Sequence, residues 1–158
     1  MKIKRFSKVL CAFLVVCLSV SMIFSTLAFA APETLAQDTY STKAGLVSLK
    51  APQYVVSTTT NERLAIAATA PGGTTVTVYR YDAASGLFHK AYLNGAPVEA
   101  VVGSTMLFAG QVDLKQGLNK FMLRAEAKDG SVTIVRFEVT LLGKGFLDKI
   151  KSILELTF

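Results

Sequence analysis

The fold class follows most directly from KFMLRAEAKDGSVTIVRFEVTL, Lys120 to Leu141, in the last third of the chain. Apolar and polar residues alternate through both halves of this stretch, and Asp129-Gly130 separates the two halves. Alternation is typical of a half-buried strand, because successive side chains of a strand point to opposite faces. Asp-Gly tolerates the positive φ angles of a tight hairpin turn. The stretch therefore predicts an antiparallel β-hairpin.

The same two-residue period occurs in Arg63 to Ala70 and in Ser104 to Leu114. Turn residues separate the alternating runs, and no helical period intervenes between them. These turn signals are Pro71-Gly72-Gly73, Ser85-Gly86, Asn94-Gly95 and Gln116-Gly117. Seven or eight short strands in about 100 residues predict an all-β domain over residues 45–142, built as an antiparallel two-sheet sandwich.

The stretch FAGQVDLKQGLNKFMLRAEAKDGSVTIVRFEVTLL, Phe108 to Leu142, resembles the last three strands of bacterial immunoglobulin-like (Big or cadherin-like) secreted domains. The residues that carry the resemblance are Val112, Leu114, Gly117, Asn119, Ala125 and Gly130. The resemblance implies an immunoglobulin-like sandwich and a structural corner at Gly117 and Asn119, where the chain crosses between sheets. It also implies an extracellular spacer, adhesive or glycan-associated module.

The N-terminus has the three parts of a secretory signal peptide. A basic start precedes an apolar run from Val9 to Phe24, and Ala28-Phe29-Ala30 fits a cleavage site for small residues. We expect residues 1–30 to be removed and residues 31–44, which are polar and small, to form a flexible spacer. An uncleaved anchor helix is the alternative, since Val9 to Phe29 approaches the length that spans a bilayer. The signal predicts a secreted protein, extracellular or held at the cell surface.

Charge and cysteine content exclude several classes of protein. The formal charge of +6 falls to +2 after Ala30, where 13 basic residues face 11 acidic ones, so no strongly basic surface for nucleic acid is expected. Both cysteines, Cys11 and Cys17, lie in the leader. The mature chain is therefore expected to contain no disulfide, no catalytic thiol and no cysteine-bound zinc.

The residues that carry catalytic chemistry are sparse. His89 is the only histidine, and the sequence contains no G-x-S-x-G, H-E-x-x-H or calcium-loop motif. These observations predict that the protein is not an enzyme and uses neither a metal nor another cofactor. The alternative is a small hydrolase in which His89 acts with Asp82 and a serine.

Three tyrosines form one candidate binding surface. Tyr79 and Tyr81 are two residues apart and share one face of a predicted strand, and Tyr92 follows in what is predicted to be the adjoining region. Exposed aromatic rings can stack on sugars, so the set is a candidate glycan platform of a small carbohydrate-binding protein. A cross-strand aromatic cluster that only stabilises the sheet is the simpler interpretation.

The end of the chain, residues 143–158, has a helical period instead. Its apolar positions are Phe146, Leu147, Ile150, Ile153 and Leu154, and its polar positions lie opposite, which predicts an amphipathic helical tail. We expect the helix to fold back over a sheet edge or an open end of the core. Docking into a partner's groove is the alternative. Membrane adsorption has weak support, because the charged residues of the helix sum to only +1.

Together these features predict a secreted, non-catalytic binding or spacer module of the bacterial cell envelope. Its partner would be an envelope protein or glycan, and nucleic acid is not expected. Membrane contact would come only through an uncleaved leader or weakly through the terminal helix. The candidate contact residues are Tyr79, Tyr81, Tyr92, Phe146, Ile150 and Ile153.

Overall fold

The computed structural model describes residues 31–155, and the predicted signal peptide lies outside this part of the chain. The described residues are mostly β-structure followed by one helix, as the alternation predicts. In chain order the elements are β1 (Thr34–Leu35), β2 (Ser48–Ala51), β3 (Val56–Thr59), β4 (Arg63–Thr69), β5 (Thr75–Asp82), β6 (Leu87–Lys90), β7 (Tyr92–Leu93), β8 (Ala96–Pro97), β9 (Glu99–Val101), β10 (Leu107–Asp113), β11 (Gly117–Glu126), β12 (Val132–Leu141) and α1 (Lys144–Glu155).

The strands form a large sheet, a small sheet and a two-stranded ribbon. The large sheet has seven strands in the order β1-β6-β5-β11-β12-β3, and β9 pairs with β5 beside this path. The small sheet has the order β10-β4-β2, and β7 pairs with β8. Every pairing is antiparallel except that of β12 with β3, which is parallel.

The predicted hairpin is confirmed as β11 and β12. The two strands pair without a register shift from Gly117 opposite Leu141 to Glu126 opposite Val132. In the turn between them, the N–H of Gly130 donates to the carbonyl of Ala127, and Gly130 has a φ of 80°. This left-handed conformation explains why glycine follows Asp129.

The main apolar core combines residues of both sheets. Phe121 of β11 stacks on Phe137 of β12 with ring centroids 5.2 Å apart, and both rings are buried. From the small sheet, Ile66 and Phe108 belong to the same buried cluster. Because strand side chains alternate between faces, these four residues lie on the sides of their strands that face the core.

A second apolar cluster lies on the opposite face of the large sheet. It consists of Tyr79, Phe88 and Met122, and it is completed by Leu35 from the N-terminal segment. We call residues 32–43 the N-terminal strap. The strap was predicted to be part of a flexible spacer, but its Leu35 is buried and β1 pairs with β6. An apolar face of this kind is stabilised when another segment excludes water from it.

The strap continues along β12 through hydrogen bonds. The N–H of Ile134 donates to the hydroxyl of Ser41 (2.9 Å), and the N–H of Val132 donates to the hydroxyl of Thr42 (2.8 Å). The guanidinium of Arg136 donates to the carbonyl of Gln37 (2.9 Å) and also to the carbonyl of Thr39. These contacts satisfy two backbone N–H groups of β12 and two backbone carbonyls of the strap.

Candidate binding surfaces

The three tyrosines do not form one open platform. Tyr79 is fully buried, Tyr81 is half-buried and Tyr92 is exposed. The prediction of a surface role is therefore wrong for Tyr79. Alternation correctly assigned Tyr79 and Tyr81 to the face away from the main core, but the strap covers that face.

The strap uses the tyrosine hydroxyls as anchors. The hydroxyl of Tyr79 donates to the carbonyl of Pro32 (2.7 Å), and the side-chain amide of Gln37 donates to the hydroxyl of Tyr81 (2.9 Å). Burial raises the pKa of Tyr79, so this phenol remains a hydrogen-bond donor across the physiological range. Tyr81 also packs on Phe88 with ring centroids 5.3 Å apart. This arrangement matches the simpler interpretation, a cluster that stabilises the sheet.

Lys90 is a buried cation between two carboxylates. Its Nζ lies 3.2 Å from a carboxylate oxygen of Glu33 in the strap and 3.4 Å from one of Glu99 in β9. The hydroxyl of Thr77 donates to Glu99 (2.8 Å), and the hydroxyl of Tyr92 donates to Glu33 (3.0 Å). The cluster thus joins the strap to β5, β6 and β9 through charge-assisted hydrogen bonds.

The ionisation of this cluster follows from its contacts. Burial alone lowers the pKa of Lys90, but the hydrogen bonds and charges of Glu33 and Glu99 outweigh burial, and the pKa lies above its ordinary value. The hydrogen bonds from Lys90 and Tyr92 lower the pKa of Glu33. Both groups are therefore charged at neutral pH, and their role in the fold is to fasten the strap.

This arrangement could not be predicted from the residues alone. Leu35 is a single apolar residue in a polar segment, and one residue establishes no period. Glu33 and Lys90 are far apart in the chain, so no spacing rule connects them. Only the pairing of β1 with β6 brings them together, because it places Leu35 opposite Phe88.

The turn between β5 and β6 brings Asp82, Ser85 and His89 together. Ser85 Oγ lies 2.8 Å from His89 Nε2, and the carboxylate of Asp82 accepts the N–H of Ser85 (3.1 Å). Hydrogen bonds from Ser85 lower the pKa of Asp82. In a catalytic triad the carboxylate orients the histidine, whereas here its hydrogen bond goes to the serine. Ser85 and His89 are exposed, and the contacts cap a surface turn.

The residues of the predicted corner, Gly117 and Asn119, lie at the start of β11, directly after the turn from β10. Asn119 is buried, and its Oδ1 accepts the N–H of Lys115 (2.8 Å). Its Nδ2 donates to the carbonyls of Lys115 (2.7 Å) and Gly117 (2.9 Å). Gly117 has a φ of 87°, a conformation that residues with a side chain rarely adopt. One amide thus satisfies three backbone groups of the turn after Leu114.

The terminal helix presents its apolar face to solvent. Phe146, Ile150 and Ile153 are 51%, 41% and 61% exposed. The expected fold-back over a sheet edge is therefore not observed for these residues. The helix begins directly after Gly143, where the N–H of Phe146 donates to the carbonyl of Gly143 (3.0 Å). No helix in residues 31–155 has the length and apolar character needed to cross a membrane.

A shallow cavity of about 240 Å³ lies between the β7–β8 ribbon and β10. Its lining consists of Leu93, Ala96, Pro97, Val98, Glu99, Phe108, Ala109, Gly110 and Gln111. Glu99 is the one ionisable side chain in this set, and it is already paired with Lys90. The cavity therefore lacks an unpaired charge with which to select a polar ligand.

Across the described part of the chain, no group of three or more His, Cys, Asp or Glu side chains is placed to hold a metal ion. Comparison with known proteins adds no relative: no protein-family model matches the chain, and no curated protein matches it.

Proposed function

We propose that this chain is a secreted, non-catalytic module with an immunoglobulin-like sandwich fold, which binds a protein partner at the bacterial cell envelope through α1. The observation that carries the proposal is the exposed apolar face of α1, formed by Phe146, Ile150 and Ile153. Exposed apolar side chains on one helix face are typical of helices that dock into a hydrophobic groove.

The strand order supports the immunoglobulin-like part of the proposal. In such domains strands A, B and E belong to one sheet, and strands C, F and G belong to the other. The small sheet has the order β2-β4-β10, and the centre of the large sheet has the order β5-β11-β12. These orders correspond to A-B-E and C-F-G in sequence and in space.

A protein groove fits the helix better than a lipid surface. Helices that adsorb to membranes carry many basic residues on the polar face, because the headgroups attract them. Here Lys149 and Lys151 are accompanied by Asp148, and the helix as a whole has a charge near +1. Apolar contact, rather than charge attraction, would supply the affinity.

The experiment is a pull-down with the purified protein and two matched variants. The double variant Phe146→Ser/Ile150→Ser removes apolar contacts, whereas Lys149→Ser/Lys151→Ser changes the opposite face of the same helix. We expect envelope proteins to be retained by wild type and by the lysine variant, and at least about thirtyfold less by the apolar-face variant. Equal loss in both variants, or retention only on cell-wall glycan or lipid vesicles, would contradict the proposal.

A hydrolase is the second candidate, because Ser85 Oγ and His89 Nε2 are within hydrogen-bonding distance (2.8 Å). Cleavage of an activated ester that is lost in both Ser85→Ala and His89→Ala, with the fold intact, would favour this activity. We expect neither variant to differ from wild type, since the two side chains lie on an open turn.

A further inference from the structure

The outer edge of β3 carries backbone groups that no strand covers. β3 ends the large sheet and, among the residues that the structure describes, pairs only with β12. The N–H of Glu138 donates to the carbonyl of Val55 (2.7 Å), and the N–H of Leu142 donates to the carbonyl of Thr59 (2.9 Å). Since alternate residues of a strand bond to opposite sides, the N–H and C=O groups of Val56 and Thr58 point away from β12.

The side chains along this edge are apolar or uncharged. Val56 is 70% exposed, and the preceding Tyr54 and Val55 are exposed as well. The segment APQYVVSTTT, residues 51–60, contains no charged residue. β-Branched residues dominate it, and these residues favour strand pairing.

Three other edge strands in residues 31–155, β1, β2 and β10, are protected. β2 has Lys50 and a register shift between Leu49 and Ala51. β1 is only two residues long. β10 ends at Asp113, whose carboxylate pairs with Arg63 at 3.0 Å. Charges, bulges and short length are the usual means by which proteins prevent edge strands from pairing, and β3 shares only its short length.

We propose that β3 is a self-association edge, on which a second copy of the chain adds its own β3 in the antiparallel direction. With the twofold axis at Ser57, Val56 of each copy lies opposite Thr58 of the other. The outward N–H and C=O groups of these residues then form four hydrogen bonds between the copies. The two large sheets become one continuous sheet.

The strand that pairs with the outer edge of β3 comes from a second copy of the chain, because this edge is complementary to itself. A twofold axis requires each residue to face its own partner from the other copy, so charged residues near the axis would repel. The uncharged segment avoids that repulsion, and it places a valine opposite a threonine on the exposed face, a pair with high strand propensity. This inference does not depend on α1 or on the proposed function.

Single cysteine variants of the full-length chain test the register. In the proposed dimer Ser57 faces Ser57 of the second copy in a non-hydrogen-bonded pair, with Cα atoms about 4.5 Å apart. That separation suits a disulfide. Thr59→Cys is the matched control, since it lies on the same face of the same strand but about 13 Å from its counterpart. Both variants also carry Cys11→Ser and Cys17→Ser, so that the introduced cysteine is the only thiol.

Under mild oxidation we expect Ser57→Cys to form a disulfide-linked homodimer at least tenfold faster than Thr59→Cys. Adding Thr58→Pro to Ser57→Cys removes one outward N–H per copy and should lower the dimer yield about thirtyfold. Far-ultraviolet circular dichroism reports whether each variant is folded. Equal crosslinking of the two cysteine variants, no dimer from a folded Ser57→Cys protein, or crosslinking only to a different protein would each overturn the proposal.

Discussion

Asn119 supports the corner between β10 and β11 with a single buried amide. Replacement by alanine leaves the N–H of Lys115 without its side-chain acceptor, and an unsatisfied buried group costs about 1–3 kcal/mol. We expect Asn119→Ala to lower the free energy of unfolding by this amount. The urea midpoint should fall accordingly, with no change in partner binding. Asn61→Ala, at an exposed position, should leave the midpoint unchanged. Equal midpoints for both variants would show that the backbone alone holds the corner.

Glu33 makes the attachment of the strap sensitive to pH. Its pKa in the folded protein lies below 4.5 because Lys90 and Tyr92 donate hydrogen bonds to the carboxylate. A depressed pKa stabilises the fold above pH 4.5, and this stabilisation is lost as the pH falls through the folded-state pKa. We therefore expect the protection factor of the Lys90 N–H, which bonds to the carbonyl of Glu33, to fall below pH 4.5. The protection factor is the exchange rate of the unfolded chain divided by that of the folded protein.

The comparison that tests this expectation is Glu33→Gln against Glu62→Gln. In Glu33→Gln, the hydrogen-exchange protection of the Lys90 N–H should lose most of its pH dependence. In Glu62→Gln, at an exposed position, that protection should keep its pH dependence. An unchanged pH profile in Glu33→Gln would mean that other carboxylates, such as Asp82 and Asp129, account for the acid sensitivity.

At the scale of single elements, the strap acts as an extra layer on the large sheet. It contributes a two-residue strand, β1, but its main effect is to exclude water from an aromatic face. That face would otherwise expose Tyr79, Phe88 and Met122, an apolar patch that invites association. The strap thus buries residues that the sequence pattern alone would assign to a binding surface.

Replacement of Leu35 by alanine measures how much the strap contributes to the free energy of unfolding. A buried leucine replaced by alanine costs about 2–5 kcal/mol, and we expect the lower end because the strap can settle onto the smaller side chain. Leu107→Ala is the control, since Leu107 is about half exposed and should change stability by less than about 1 kcal/mol. The free energies of unfolding come from urea titrations. Similar values for the two variants would show that the strap opens independently of the sheets.

At the scale of the whole molecule, the strap limits where the predicted signal peptide can be cleaved without loss of the strap's contacts. The carbonyl of Pro32 accepts a hydrogen bond from Tyr79, and the carboxylate of Glu33 pairs with Lys90. Removal of Pro32 or Glu33 would therefore release the strap. Cleavage after Ala30 keeps both. We expect intact-mass analysis of the released protein to give residues 31–158, and a chain beginning after Glu33 would contradict the anchoring role of these contacts.

The sequence was most informative where neighbouring residues interact. Alternation identified β11 and β12, their turn at Asp129-Gly130 and the inward positions such as Phe121 and Phe137. It assigned Tyr79 to the correct face but could not show that Leu35 covers it, because coverage depends on contacts between distant segments. Likewise, the helical period of α1 predicted a helix but not the position of its apolar face relative to the core.

The contacts of the strap with β12 affect the order in which the segments of the chain can fold. The N–H of Ile134 bonds to Ser41 across 93 residues of sequence, and Arg136 reaches Gln37 across 99. A growing chain therefore synthesises the strap early but provides its docking site only when translation is nearly complete. Contacts between such distant residues form slowly, because a long loop must close before they can stabilise the fold. The strap is thus expected to be among the last segments to reach its native position although it is made early, and no fragment that lacks β12 should hold the strap in place.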